Sequence, residues 1–144
     1  MVNNQSYRLL LPPKCKIKKT ARGGQRIVNG PVYDLALAQS LLYEYGFLVV
    51  NEDAKDDKKS QFNPEMDDDE LADFVTALTD DDFDGAERCK TSTGMTVDCD
   101  GYAMKWNRNR RCRWEYGAKI YVKFGFATED DLTMLVLCIH PSKW

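Results

Sequence analysis

Residues 105–126 read KWNRNRRCRWEYGAKIYVKFGF, with seven Lys/Arg and six aromatics against a single acid, Glu115. Apolar and polar side chains alternate through this stretch. Cys112, Trp114 and Tyr116 interleave with Arg111, Arg113 and Glu115; then Ile120, Val122, Phe124 and Phe126 interleave with Tyr121, Lys123 and Gly125. A period of two is the pattern of strands with one face buried. Upstream, Tyr102, Met104 and Trp106 alternate with Ala103 and Lys105, and Asn107-Arg108-Asn109 is a turn candidate. Gly117-Ala118 and the polar stretch 127–131 supply two more turns. Residues 132–139, LTMLVLCI, are apolar on both faces, as a central strand would be.

The first half of the chain has a different period. Residues 31–46, PVYDLALAQSLLYEYG, put Leu35, Ala38, Leu42 and Tyr45 on one stripe and end at Gly46; Pro31 suits the first turn, with Asn29 or Gly30 as cap. The FLVV that follows suits a short strand, and 51–66 reads as a solvated loop turning at Asn63-Pro64. Asp67–Asp69 then load the start of a second helix whose apolar residues Leu71, Phe74, Val75 and Leu78 are spaced i, i+3, i+4, i+7. Thr79 and Asp82 form a capping box, predicting a third short helix from there toward Lys90. The expected fold class is α+β: N-terminal helices followed by a mostly antiparallel sheet of about four strands. The expected organisation is a basic N-terminal arm, 1–30, as a floppy or edge-strand segment, and one α+β domain, 31–144.

Charge is distributed in blocks. Residues 1–33 carry seven Lys/Arg and no acid, 51–87 carry fifteen acids and three lysines, and 88–123 carry nine Lys/Arg and three acids, although the formal net charge is only −3. No apolar run approaches the ~20 residues of a membrane span. The run at 9–13 is too short for a secretory signal, so a cytoplasmic location is expected. The five cysteines (15, 89, 99, 112, 138) make no Cys-x-x-Cys pair, and one histidine accompanies them; neither a zinc site nor a disulfide framework is expected. Asp98 and Asp100 beside Cys99 argue against a reactive thiol there. Consecutive acids at 67–69 and 80–82 splay around helix ends, so no Mg²⁺ site is expected either. No metal and no cofactor is foreseen.

If the apolar set 112, 114, 116, 120, 122, 124 and 126 faces the core, the other face presents Arg111, Arg113, Tyr121 and Lys123. Cations with aromatics suit a single-stranded nucleic acid. Metal-free RNA cleavage uses the 2′-hydroxyl as nucleophile and needs a base, a cation for the charge on the phosphoryl oxygens, and an acid for the leaving oxygen. Lys, Arg, Tyr and His can supply all of these. A phosphate-binding glycine loop, a G-x-S-x-G elbow and an H-E-x-x-H helix are all missing from the sequence.

The string Leu78-Thr79-Asp80-Asp81-Asp82-Phe83, after an acid-capped helix, resembles the L-[ST]-x-x-D-F segment of MqsR-type mRNA interferase toxins. Lys90, Asp100-Gly101-Tyr102, Tyr121-Val122-Lys123 and the final apolar run to His140 resemble that family's lysine, D-x-Y strand, Y-[IVL]-K strand and last strand. The resemblance covers about residues 31–144. It implies a RelE-like fold, cytoplasmic metal-independent cleavage of mRNA, and a neutralising cognate antitoxin. It places catalytic roles on Lys90 and Tyr121, with Lys123 beside them, and only loosely on His140. Arg108, Arg110, Arg111, Arg113 and Tyr102 are the RNA-binding candidates. There are departures: DGAERC separates Asp82-Phe83 from Lys90, Cys99 stands where the family has glutamine, and about nine extra residues enlarge the hairpin before Tyr121. They leave room for a different class of function, a non-catalytic nucleic-acid-binding module or a phage- or host-directed inhibitor, whose acidic segment 51–87 docks on a basic partner.

Overall fold

A computed structural model describes residues 25–28, 30–128 and 131–142, and the backbone of 17–19. The remainder of the expected arm 1–30 lies outside the described residues. In chain order the elements are β1 (Ile17–Lys19), β2 (Gln25–Ile27), α1 (Leu35–Tyr45), β3 (Phe47–Val49), α2 (Glu52–Ser60), α3 (Asp68–Ala77), a 3₁₀ turn (Asp80–Asp82), β4 (Phe83–Lys90), β5 (Thr96–Asn107), β6 (Cys112–Arg113), β7 (Ala118–Gly125) and β8 (Met134–Pro141).

One mixed sheet runs β1-β2-β4-β5-β7-β8-β3, with β6 appended to β5. All pairings are antiparallel except β3 on β8. The expectation of N-terminal helices followed by about four strands, in a RelE-like arrangement, is therefore wrong. Seven strands stand in line among the described residues, and strands are interleaved with the helices. The expected third helix is a single 3₁₀ turn. Phe83 to Lys90, with no clear apolar period, is drawn into β4 by pairing with β5. The expected loop 51–66 contains α2. It holds through charges that match its dipole, Glu52 and Asp53 in the first turn and Lys58 and Lys59 in the last, and buries one residue, Ala54. The start of α1 also differs. Asp34, not Asn29 or Gly30, is its cap, accepting from the backbone N–H of Ala36 at 3.1 Å.

α1 and α3 pack on one face of the sheet. Leu41, Phe74, Tyr102, Trp106, Val122 and Phe124 meet there in the main core. Phe74 sets its ring edge-on to Trp106 at 5.3 Å, and Tyr102 stacks on Phe124 at 5.6 Å. Cys112, Trp114 and Tyr116 were expected in this core and are exposed instead. β6 is only two residues long, and its register sets Arg113 opposite Trp106 on the helix face, where it reaches Asp82 and the Ala77 carbonyl, so Cys112 is turned to the uncovered face.

Asp100 anchors the segment leading into α1. Fully buried, it accepts the backbone N–H groups of Val32 at 2.8 Å and Tyr33 at 2.9 Å. Burial pushes its carboxyl up from 3.8 to about 6, against the pull of those two N–H donors. The folded state thus binds this proton more tightly than the unfolded chain does. Its contribution to stability is complete below about pH 4 and is lost as the pH rises through about 6. The span is on the order of 3 kcal/mol. Thermal melts are expected to show the melting temperature rising between pH 7.5 and 5.5, and Asp100→Asn to flatten that limb.

Candidate functional site

The basic stretch and the acidic helices find each other. Arg108 forks onto Glu70 at 2.7 and 2.9 Å, with Trp106 Nε1 donating to the same carboxylate at 3.2 Å. Arg111 reaches Asp67 and Asp73 at 3.3 and 3.4 Å. Arg113 pairs with both oxygens of Asp82, one of them at 2.9 Å. Burial raises the Asp82 pKa, but its bonds to Arg113 and Thr79 outweigh that and leave it below the usual carboxylate range. Arg108, Arg111 and Arg113 therefore neutralise α3 and the 3₁₀ turn, on the helix side of the sheet; they do not share a face with Tyr121. Arg110 is exposed near them. Tyr102 lies in the core, fully buried, and offers no ring to a base.

The other candidates divide by face. Ile120, Val122 and Phe124 point at the helices, so Lys119, Tyr121 and Lys123 point away. Register puts Tyr121 opposite His140 and Lys123 opposite Cys138. The Tyr121 and His140 rings stack at 5.3 Å and 29°. Lys90 is not among them. It ends β4 one residue past Cys89, which packs on the second face, so alternation turns Lys90 to the helix face.

Gly101 is the residue that lets this site form. It lies beneath the phenol, and a Cβ there would stand 2.3 Å from Tyr121 Oη. In the Asp100-Gly101-Tyr102 string, the acid anchors α1, the glycine clears the phenol and the tyrosine fills the core. Gly101→Ala is expected to leave the melting temperature near that of the unmutated protein while displacing Tyr121. An activity dependent on that hydroxyl would fall about 10²-fold, measurable as kcat.

Asp57, Gln61, Asp84, Tyr121, His140, Pro141 and Ser142 line a cleft of about 490 Å³. Asp84 reaches it through an irregularity in β4 between Phe83 and Gly85, where Gly85 takes φ +130°. His140 Nδ1 lies 2.9 Å from the Pro141 carbonyl. A carbonyl only accepts, so Nδ1 carries the hydrogen and Nε2 of the neutral ring is left with its lone pair. Burial holds the Tyr121 phenol above its ordinary range despite the nearby Lys123 ammonium, so it stays a donor at neutral pH. Burial would lower the Lys123 pKa; its ion pair with Glu87 more than offsets this and keeps it charged. Sequence reading missed Asp57, Gln61, Asp84 and Glu87. Only the Asp84-Gly85 dipeptide carried a signal there, a glycine marking an irregular strand.

Cys89, Cys99, Cys112 and Cys138 are free thiols. The Cys99 thiol is pushed up by its hydrogen bond with the Cys89 thiol and by burial; Asp98 and Asp100 are not the cause. Among the described residues no His/Cys/Asp/Glu group could hold a metal ion, and no helix is long and apolar enough to cross a membrane. No family model, curated protein or solved structure matches the chain.

Proposed function

We propose that the protein is a toxin-like, metal-independent endoribonuclease acting on single-stranded mRNA, with a cognate antitoxin as its protein partner. The observation that carries this reading is the stacked Tyr121–His140 pair in a cleft on the face of the sheet turned away from α1 and α3, with charged Lys123 two residues along β7 on the same face. In this reading His140 Nε2 takes the proton of the 2′-hydroxyl, and the Tyr121 hydroxyl and the Lys123 ammonium meet the charge that develops on the phosphoryl oxygens. The leaving 5′-oxygen then takes the proton back from the imidazolium. The resemblance of Leu78–Phe83 and Tyr121–Lys123 to MqsR-type toxins supports the same reading. Lys90 has no part in it.

In the alternative, segment 51–87 docks on a basic partner. That surface is weakened by the use of Asp67, Glu70, Asp73 and Asp82 in internal ion pairs. Induced expression separates the two. Growth arrest relieved by Tyr121→Phe with His140→Ala, and kept by Asp80→Lys with Asp81→Lys, is the expected result. Arrest that survives the first pair and is lost with the second would transfer the function to the acidic surface.

A further inference from the structure

Lys105 on β5 and Lys119 on β7 are direct cross-strand partners on the same face as Tyr121. Both are exposed, and among the described residues neither makes an ion pair. Like charges directly opposed in a sheet are destabilising. The neighbouring arginines show what this chain does with cations it neutralises itself: Arg108, Arg111 and Arg113 each have a carboxylate within reach. The lysine pair is left uncompensated, two residues along β7 from Tyr121.

Exposed rings stand at the same end of the sheet. The backbone N–H of Trp114 donates to the Lys105 carbonyl at 3.1 Å, fixing the 114–117 turn beside the lysine pair. Trp114 and Tyr116 set their rings edge-to-face at 5.7 Å, and they are 45% and 75% exposed. Large rings left in water by a chain that buries Trp106 and Tyr102 completely are available to a ligand.

We propose that Lys105, Lys119, Trp114 and Tyr116 form a subsite for a single-stranded nucleic acid, the lysines taking a phosphodiester and the rings a base next to it. The proposal rests on the ribonuclease reading only for its direction: a strand seated there would continue along β7 into the Tyr121–His140 cleft. Complementarity of charge selects a polyanion, and unpaired stackable bases select a single strand over a duplex.

The test is fluorescence polarisation with a labelled 2′-O-methyl oligonucleotide, which binds without being cleaved, alongside cleavage of the matching RNA. Lys105→Glu with Lys119→Glu is expected to weaken binding about tenfold or more and to lower the slope of log K against log salt by about 0.7, for the one phosphodiester they hold. Trp114→Ala with Tyr116→Ala is expected to weaken it about tenfold with the slope unchanged. Single Lys105→Glu makes an opposite-charge pair with Lys119, so its melting temperature should hold or rise while binding falls, a split that damage to the fold would not give. Binding by both double variants equal to the unmutated protein, or no binding by the unmutated protein, overturns the subsite. Loss of binding in the variants together with an unmutated protein that cuts no RNA keeps the subsite and overturns the ribonuclease reading.

Discussion

His140→Ala is expected to reduce cleavage of single-stranded RNA by about 10²–10⁴-fold, the range for removing a proton-transferring side chain. The imidazole is held from two sides, by the Tyr121 ring against its face and by the Pro141 carbonyl at Nδ1. The alanine variant loses the base without losing the strand, because Ile139 and Val136 carry the packing of β8 into the core. The drop should appear in kcat with KM little changed, since Lys123, to which the proposed function assigns the phosphate, is untouched. Tyr121→Phe keeps the ring stack and removes only the hydroxyl, so a smaller loss is expected, on the order of 10². Equal rates for the unmutated protein and both variants in a single-turnover assay would remove these residues from the chemistry.

The second large effect is on stability. Glu70→Ala should cost about 3 kcal/mol or more, because it leaves the partly buried Arg108 guanidinium and the indole N–H of Trp106 without their shared acceptor. For a chain of this size that is about 10 °C in melting temperature. Arg111→Ala breaks only exposed pairs and should cost less than about 1 kcal/mol. Differential scanning calorimetry of the two variants distinguishes them. A Glu70→Ala variant that melts with the unmutated protein would mean that α3 is held by Leu71, Phe74 and Val75 alone.

These two predictions sit on opposite faces of one sheet, and the sequence revealed the faces unequally. Alternation in 102–106 and 120–126 announced β5 and β7, and the run 132–139, apolar on both faces, announced β8, because each buries a continuous apolar side. β4 escaped because FDGAERCK mixes a strand irregularity, a glycine and charges; α2 escaped because a helix that buries only Ala54 leaves no apolar stripe to read. The charge blocks were plain in the sequence, but their use was not. Arg108 and Glu70 are thirty-eight positions apart, and nothing local says that they close on each other. Three of the seven cations in a stretch that looked like a nucleic-acid surface, Arg108, Arg111 and Arg113, are counter-charges of α3 and the 3₁₀ turn. Tyr121 and Lys123 were legible from the Tyr-Val-Lys alternation. Their meeting with His140 depends on the register of β7 against β8, and the entry of Asp84 depends on the irregularity in β4.

The most direct measurement is incubation of the purified protein with a defined single-stranded RNA in EDTA, with end-group analysis of the products. Fragments ending in 2′,3′-cyclic phosphate, absent when His140→Ala replaces the unmutated protein, are the predicted result. Intact RNA, or the same fragments from the His140→Ala variant, would contradict a metal-independent ribonuclease built on the Tyr121–His140 cleft.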